Sequence, residues 1–407
     1  MDRRFDRAYF ARARVGLFTH YTFATYAPGR GTDWGGTWRA RNDPRPAASP
    51  EEAAALFDGE AFAKAAADLG AEYVVFTAAH AGFNLLFPSE TVKATGCVHK
   101  CAESSDVIAK LLAGLGRYGI PLVLYLPPND AHDISDEDLR RLGWTDDRAR
   151  MDFLKALIRE IYARYGTAIR GFWFDQGGPT KDVCDAVRAC DPDAVIFVNT
   201  GVTANETRHP LSDFTVSEYY GSIEAGDSDR LPTHFSQVNR QIGNWWASGH
   251  AAPTDDVSLY RYTVRTAATA GQENAGVAWA CGPYLDQSWE DGVRELLSAL
   301  GRLLRAHEGI FGTVPGRSFV TAPNAPLTKS DWGVSTETPD GKTVFLHVLN
   351  APANGVLTLP RPADGKAFAA ATCGGRPLSL TRDGDGWRIV MPEAPDPIDA
   401  VIRLTAE

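Results

Sequence analysis

Gly171-Phe172-Trp173-Phe174-Asp175-Gln176-Gly177-Gly178 is a short aromatic-rich apolar run that ends on a carboxylate and a glycine turn. Runs of this length, bounded by turn residues, read as buried strands. Working outward, similar runs fall at 15–19, 73–77, 122–126, 195–198, 214–217, 242–245 and 277–280, so that with 171–174 there are eight. Helical periodicity lies between them at 61–69, 106–118, 147–165, 181–190 and 259–270, and again at 289–307 after the last run. Strands alternating with crossover helices give a parallel sheet, and eight of them predict a (β/α)8 TIM-like barrel. No Gly-rich phosphate fingerprint follows the first run, which argues against an open dinucleotide-binding sheet.

The pattern changes near Gly312-Thr313-Val314-Pro315-Gly316. Beyond it, short alternating segments are cut by turn signals such as Pro339-Asp340-Gly341 and Asp383-Gly384-Asp385-Gly386. That texture predicts a C-terminal antiparallel β-sandwich. The expected organisation is thus a barrel over residues 1–315, the unit that would carry any active site at its strand ends, and a sandwich over 316–407.

The 407 residues carry 51 acidic against 41 basic side chains, a net charge of −10. This balance argues against nucleic acid or an anionic membrane surface as the main partner. No apolar run approaches the roughly 18 residues that span a bilayer. The start, Met1-Asp2-Arg3-Arg4-Phe5-Asp6-Arg7, has no apolar stretch after its basic residues, so a cytoplasmic location is expected unless an export signal preceded Met1. Six Cys do not form a disulfide framework. Cys97 and Cys101 have only His99 near them at ligand spacing, so no zinc site is expected. No cofactor is expected, and a homo-oligomer is compatible with the sequence. The ten Trp residues include candidates for stacking on sugar faces, although most Trp in any protein serve the core.

In a barrel, active residues sit at the C-terminal ends of strands. Those ends carry His20, His80, Tyr125, Asp175, Asn199 and Glu218, with Trp245 and Trp246 at the seventh. Asp175 is the sharpest: it could be a helix cap or a turn residue, but the next N-cap candidate, Thr180, comes later, and Trp173 flanks it. Glu218, in Phe214-Thr215-Val216-Ser217-Glu218-Tyr219-Tyr220, could equally be a salt-bridged rim residue. Taken as a pair, the two suit carboxylate-pair glycoside hydrolysis. His20 and His80 read as neutral residues holding sugar hydroxyls or as satisfied core histidines. The first strand lacks the His-x-His of metal-dependent barrel hydrolases, so no metal site is expected.

These rim residues resemble the α-L-fucosidases of glycoside hydrolase family 29 over nearly the whole chain. Gly16-Leu17-Phe18-Thr19-His20-Tyr21 is similar to that family's Gly-(Ile/Leu)-Phe-x-His-Trp motif, and Tyr73 to Phe83 is similar to its second-strand motif ending Lys-His-His-Asp-Gly-Phe. Leu124-Tyr125, Trp173-Phe174-Asp175, Phe214 to Glu218, and Asn274 to Pro283 followed by Glu308 to Thr313 resemble later segments in the same order. The resemblance implies an exo-acting, retaining hydrolase that removes a terminal α-L-fucose, or a similarly configured sugar such as α-L-galactose, from a carbohydrate substrate. Asp175 would be the nucleophile and Glu218 the acid/base. His20, His80, Tyr125 and Asn199 would contact the sugar, while Trp34, Trp38, Trp173 and Trp245 or Trp246 would shape its apolar side. The departures are Ala79-His80-Ala81 in place of adjacent histidines, Asp33-Trp34 in place of Glu-Trp, Tyr21 in place of Trp, and Asn199-Thr200-Gly201 in place of Asn-x-Arg. They fall on expected sugar-contacting positions and bear on which sugar is bound more than on the reaction. Two further readings stay open from the sequence: a carbohydrate-binding pseudo-enzyme, and a metal-dependent hydrolase built on His20, His80 and Asp175.

Overall fold

The computed structural model describes residues 5–23, 49–129, 134–175, 178–199, 208–219, 237–241, 255–269, 276–289, 291–321 and 332–407. Among these, eight strands form one parallel sheet: β1 (Val15–Thr19), β2 (Tyr73–Thr77), β3 (Leu122–Leu126), β4 (Ile169–Phe174), β5 (Val195–Val198), β6 (Val216–Tyr219), β7 (Gln237–Gln241) and β8 (Gly276–Ala280). Their order is β5-β4-β3-β2-β1-β8-β7-β6, and a parallel bridge between Phe197 and Phe214 joins the two ends. The sheet therefore closes on itself as a barrel.

Side-chain parity along these strands explains why it closes. Val15, Leu17, Val74, Phe76, Leu124, Phe172, Phe174, Ile196 and Val277 belong to a large apolar cluster shared with the surrounding helices. The alternate residues, among them Phe18, Tyr73, Val75, Tyr125, Trp173, Phe197 and Ala278, form a second cluster that fills the barrel. Strands apolar on both faces are what a parallel sheet between helices requires. Phe10, from the helix Arg7–Phe10, plugs the N-terminal end, its ring 5.7 Å from Tyr73 and 6.1 Å from Phe197. Gly16 leaves space for the interior ring of Tyr73, whose Cζ would lie 2.4 Å from a Cβ at that position.

The helices start where acidic caps dictate. Asp58 accepts from the backbone of Glu60 and Ala61 to open Gly59–Leu69, Asp106 caps Val107–Tyr118, and Asp146 caps Asp147–Tyr165. Asp106 is thus the cap of its helix rather than the first helical residue.

β7 is described over the polar segment Gln237–Gln241, and the expected 242–245 lies outside the described residues. Its backbone pairs with β6 and β8 on either side, and pairing from both neighbours overrides weak strand propensity. β6 starts at Val216, leaving Phe214 as the bridge residue.

After the helix Val293–Ala306 the chain forms two antiparallel sheets. One contains β9 (Val314–Pro315), β10 (Gly333–Glu337), β11 (Thr343–Val348), β13 (Phe368–Cys373), β14 (Arg376–Leu378) and β17 (Ala400–Ala406); the other contains β12 (Val356–Leu359), β15 (Leu380–Asp383) and β16 (Gly386–Val390). Val344, Leu346, Ile402 and Leu404 of the first sheet share one apolar cluster with Leu357, Trp387 and Ile389 of the second. Val314 and Pro315 already pair with Glu337 and Thr336, so the C-terminal sheet starts at 314. The barrel meets this unit through a buried network in which Asp399 accepts from the Tyr260 hydroxyl at 2.7 Å and contacts His347 Nδ1 at 2.7 Å. The described cysteines are free thiols.

Candidate active site

The parity that fills the barrel also builds its mouth. Two residues beyond the inward-facing Phe18, Trp173 and Phe197 come His20, Asp175 and Asn199. With Tyr125 near the end of β3 and His80 just beyond β2, they form a buried polar cluster at the C-terminal ends of the strands. Asp175 is 8% exposed. The Tyr125 hydroxyl donates to its Oδ2 at 2.6 Å, and Asn199 Nδ2 donates to its Oδ1 at 2.9 Å. The backbone holds the same residues: Asp175 N–H donates to the Leu126 carbonyl at 3.3 Å and Asn199 N–H to the Phe174 carbonyl at 2.8 Å.

His20 and His80 pack edge to face with ring centroids 4.3 Å apart, and each ring also meets Tyr125, at 4.6 Å and 5.3 Å. Burial, and secondarily the neighbouring His80, hold the His20 pKa well below the ordinary imidazole value. His20 is therefore neutral at pH 7, with one ring nitrogen able to donate and the other to accept. Among the described residues, no group of three His, Cys, Asp or Glu side chains is arranged to hold a metal ion.

Two non-glycine residues among those described have positive φ: Phe83 at 46° and Gln287 at 65°. Both lie on this rim, just after β2 and after β8, where strained backbone often accompanies a functional site. Phe83 is held by packing on Trp144 at 4.6 Å, and the buried Lys100 donates to the carbonyl of Gly82 beside it at 2.9 Å. Gln287 donates to the Tyr21 hydroxyl at 3.0 Å and accepts from the Asp58 N–H at 3.0 Å, tying together the loops after β1 and β8. Nothing in the local sequence Asp286-Gln287-Ser288 announces that bridge beyond its turn character.

The structure brings His20, His80, Tyr125, Asp175 and Asn199 together as expected from their strand-end positions. It corrects Trp173. That ring has no exposed surface and packs 5.0 Å from Phe18 and 5.2 Å from Phe197 in the barrel interior, so it is a core residue rather than an open sugar-stacking wall. Tyr21, one of the departures assigned to sugar contact, faces the helices instead. Its hydroxyl donates to the Ala53 carbonyl at 2.9 Å, and burial pushes its pKa up. The backbone of Glu218 lies in β6 opposite Asn239, while its side chain lies outside what is described. Trp34, Trp38, Trp245 and Trp246 also lie outside the described residues.

A closed barrel with a buried carboxylate and paired imidazoles at its C-terminal mouth, followed by antiparallel sheets, defines a (β/α)8-barrel protein with a polar cluster where such barrels place their sites. Its affiliation is more specific: the chain belongs to the alpha-L-fucosidase family, glycoside hydrolase family 29, whose signature matches residues 1–307. No curated protein sequence matches the chain. Among solved structures it is similar to alpha-L-fucosidase isoenzyme 1 from Paenibacillus thiaminolyticus, at 19% identity and a TM-score of 0.69 over 98% of each chain. It is also similar to a family 29 alpha-L-fucosidase from Bacteroides thetaiotaomicron, at 17% identity and TM-score 0.71 over 100% of this chain and 96% of that one. The Thermotoga maritima alpha-fucosidase in complex with fucose is a third, at 16% identity and TM-score 0.63, covering 98% and 97%. These likenesses establish the barrel and the sheets that follow it.

Proposed function

We propose that this protein is a retaining exo-glycoside hydrolase that removes a terminal α-L-fucose, or a similarly configured sugar such as α-L-galactose, by double displacement. Family membership over residues 1–307 supports the reaction class. So does a relative: a Bacteroides thetaiotaomicron enzyme of this family, 17% identical, was trapped as a covalent intermediate with 2-fluoro-fucosyl fluoride. The observation that carries the reading is Asp175, a carboxylate buried at the barrel mouth with a donor on each oxygen, one of them the hydroxyl of Tyr125, whose ring meets the imidazoles of His20 and His80.

In the first step an Asp175 oxygen bonds to the anomeric carbon as the glycosidic C–O bond breaks, and Glu218 gives its proton to the departing oxygen. In the second, Glu218 takes a proton from water, the water oxygen bonds to the anomeric carbon, and the bond to Asp175 breaks, returning its electron pair to the carboxylate. Neutral His20, with His80 beside it, holds ring hydroxyls. Retention asks for carboxyl groups about 5–5.5 Å apart.

The test is turnover of a panel of aryl α-L-glycosides, with product configuration followed by NMR. The α-L-fucoside should be cleaved with retention, and Asp175→Ala should lose several powers of ten in rate while remaining folded. Added azide should then restore turnover of the variant and give an azide product of inverted configuration. Fucose binding without any wild-type turnover would leave the carbohydrate-binding pseudo-enzyme instead.

A further inference from the structure

We propose that Tyr125 and Asn199 are positioning residues that set the charge of the Asp175 carboxylate, and thereby the balance between the two displacement steps. The inference rests on the nucleophile reading above and goes beyond it, because Tyr125 and Asn199 were expected to face the sugar.

Three adjacent strands carry the argument. Asp175 follows β4, and the strands on either side each supply one donor: Tyr125 of β3 reaches Oδ2 at 2.6 Å, and Asn199 after β5 reaches Oδ1 at 2.9 Å. Both donors are about 1% exposed. Tyr125 is fixed by strand pairing on both sides, opposite Thr77 and Trp173, and by the rings of His20 and His80. Asn199 is fixed by its N–H on the Phe174 carbonyl at 2.8 Å. The donors are therefore preorganised around the carboxylate instead of being recruited by substrate.

Hydrogen bonds to an ionised carboxylate stabilise its charge. The free nucleophile is charged, the glycosyl ester is not, and the charge returns when the ester bond breaks. Two fixed donors therefore restrain attack on the anomeric carbon and assist departure from it. Removing the Tyr125 donor makes Asp175 a more basic nucleophile and a poorer leaving group. The loss of a hydrogen bond to a charged group corresponds to about a tenfold to hundredfold change in rate.

Tyr125→Phe keeps the ring and removes only the hydroxyl. With a nitrophenyl α-L-fucoside, kcat should fall about tenfold to hundredfold while kcat/KM, which reports the first step, does not fall, so KM drops with kcat. One equivalent of nitrophenol per site should appear as a burst, and azide should accelerate steady-state turnover. Asn199→Ala should move the same parameters in the same direction. A readout without substrate accompanies these: the Asp175 carboxyl, followed by NMR of carbon-13-labelled aspartate and assigned with Asp175→Asn, should titrate about one to two pH units higher in Tyr125→Phe. A merely structural role would lower stability without separating kcat from kcat/KM or moving that titration. Equal loss of kcat and kcat/KM with no burst, or an unmoved carboxyl titration, would overturn the positioning role alone. A wild type that cleaves no aryl α-L-glycoside would overturn the functional reading and the step assignment with it.

Discussion

Gly171→Ala places one methyl group in the strand that delivers Asp175. Gly171 has φ of +152°, and a Cβ built there would lie 1.9 Å from the Val195 carbonyl oxygen and 2.7 Å from its carbonyl carbon and amide nitrogen. Ordinary contact begins at 3.4 Å, so β4 and β5 would have to part locally by about 1.5 Å, the difference between those two distances. The obstacle is backbone within the paired register Gly171↔Val195, which no rotamer change can relieve. Overpacking costs about 1–3 kcal/mol, and holding a non-glycine residue in an unfavourable backbone region costs about 1–3 kcal/mol more. Together these take about 2–6 kcal/mol from a stability of order 5–15 kcal/mol. For a chain of 407 residues, with an unfolding entropy of about 2.1 cal/mol/K per residue, that is a fall in Tm of about 2–7 °C. Asp175 lies four residues further on, just past the end of the same strand, its N–H bonded to the Leu126 carbonyl at 3.3 Å, so the displacement should reach it. A shift of about 1 Å in a reacting group costs on the order of a hundredfold in rate. The assay is thermal unfolding by circular dichroism together with kcat/KM on an aryl fucoside. Gly116→Ala is the control, because its Cβ would meet nothing within 4 Å in an exposed helical position and should hold or raise Tm. A Gly171→Ala protein melting within about 1 °C of wild type, against the fall of about 2–7 °C expected, would refute the steric reasoning.

Two further outcomes follow from buried groups away from the bond-breaking step. His20 has its folded pKa below 6.5, so the unfolded chain takes up the proton first: its contribution leaves stability intact above pH 6.5 and erodes it below, by up to about 1.4 kcal/mol per pH unit. Urea unfolding at several pH values should show a shallower acid decline for His20→Gln, and an unchanged slope would reject the depressed pKa. Tyr260→Phe removes a 2.7 Å donor to the buried Asp399 at the junction of barrel and sandwich, which should cost about 1–3 kcal/mol in urea unfolding and leave fucoside turnover unchanged. Equal stability, or a large loss of turnover in the folded variant, would show the junction misread.

Strand parity was legible in the sequence because it repeats along each apolar run. Phe18, Trp173 and Phe197 point inward, so residues two further on had to reach the mouth, and His20, Asp175 and Asn199 do. Composition gives no such signal for the described part of β7: Gln237–Gln241 is polar, and it is the pairing of its backbone with β6 and β8 on both sides that marks it as a strand. Trp173 was named for its chemistry, yet inward parity one step below the mouth buries it. Sequence order also shows which strands carry polar ends but not which end meets which. The expected barrel already makes β3, β4 and β5 neighbours, but the donation of Tyr125 and Asn199 to one carboxylate depends on their register, which only the three-dimensional pairing supplies.

The most direct test of the central claim is covalent labelling with 2-fluoro-fucosyl fluoride. Fluorine at C2 slows both steps, while the fluoride leaving group spares the first, so a glycosyl-enzyme accumulates. Peptide mass mapping of the inactivated protein should find one fluorofucosyl group per chain, on Asp175, and none on Asp175→Ala. A folded protein that turns over the substrate yet carries its label on another carboxylate, or no label at all, would contradict the account.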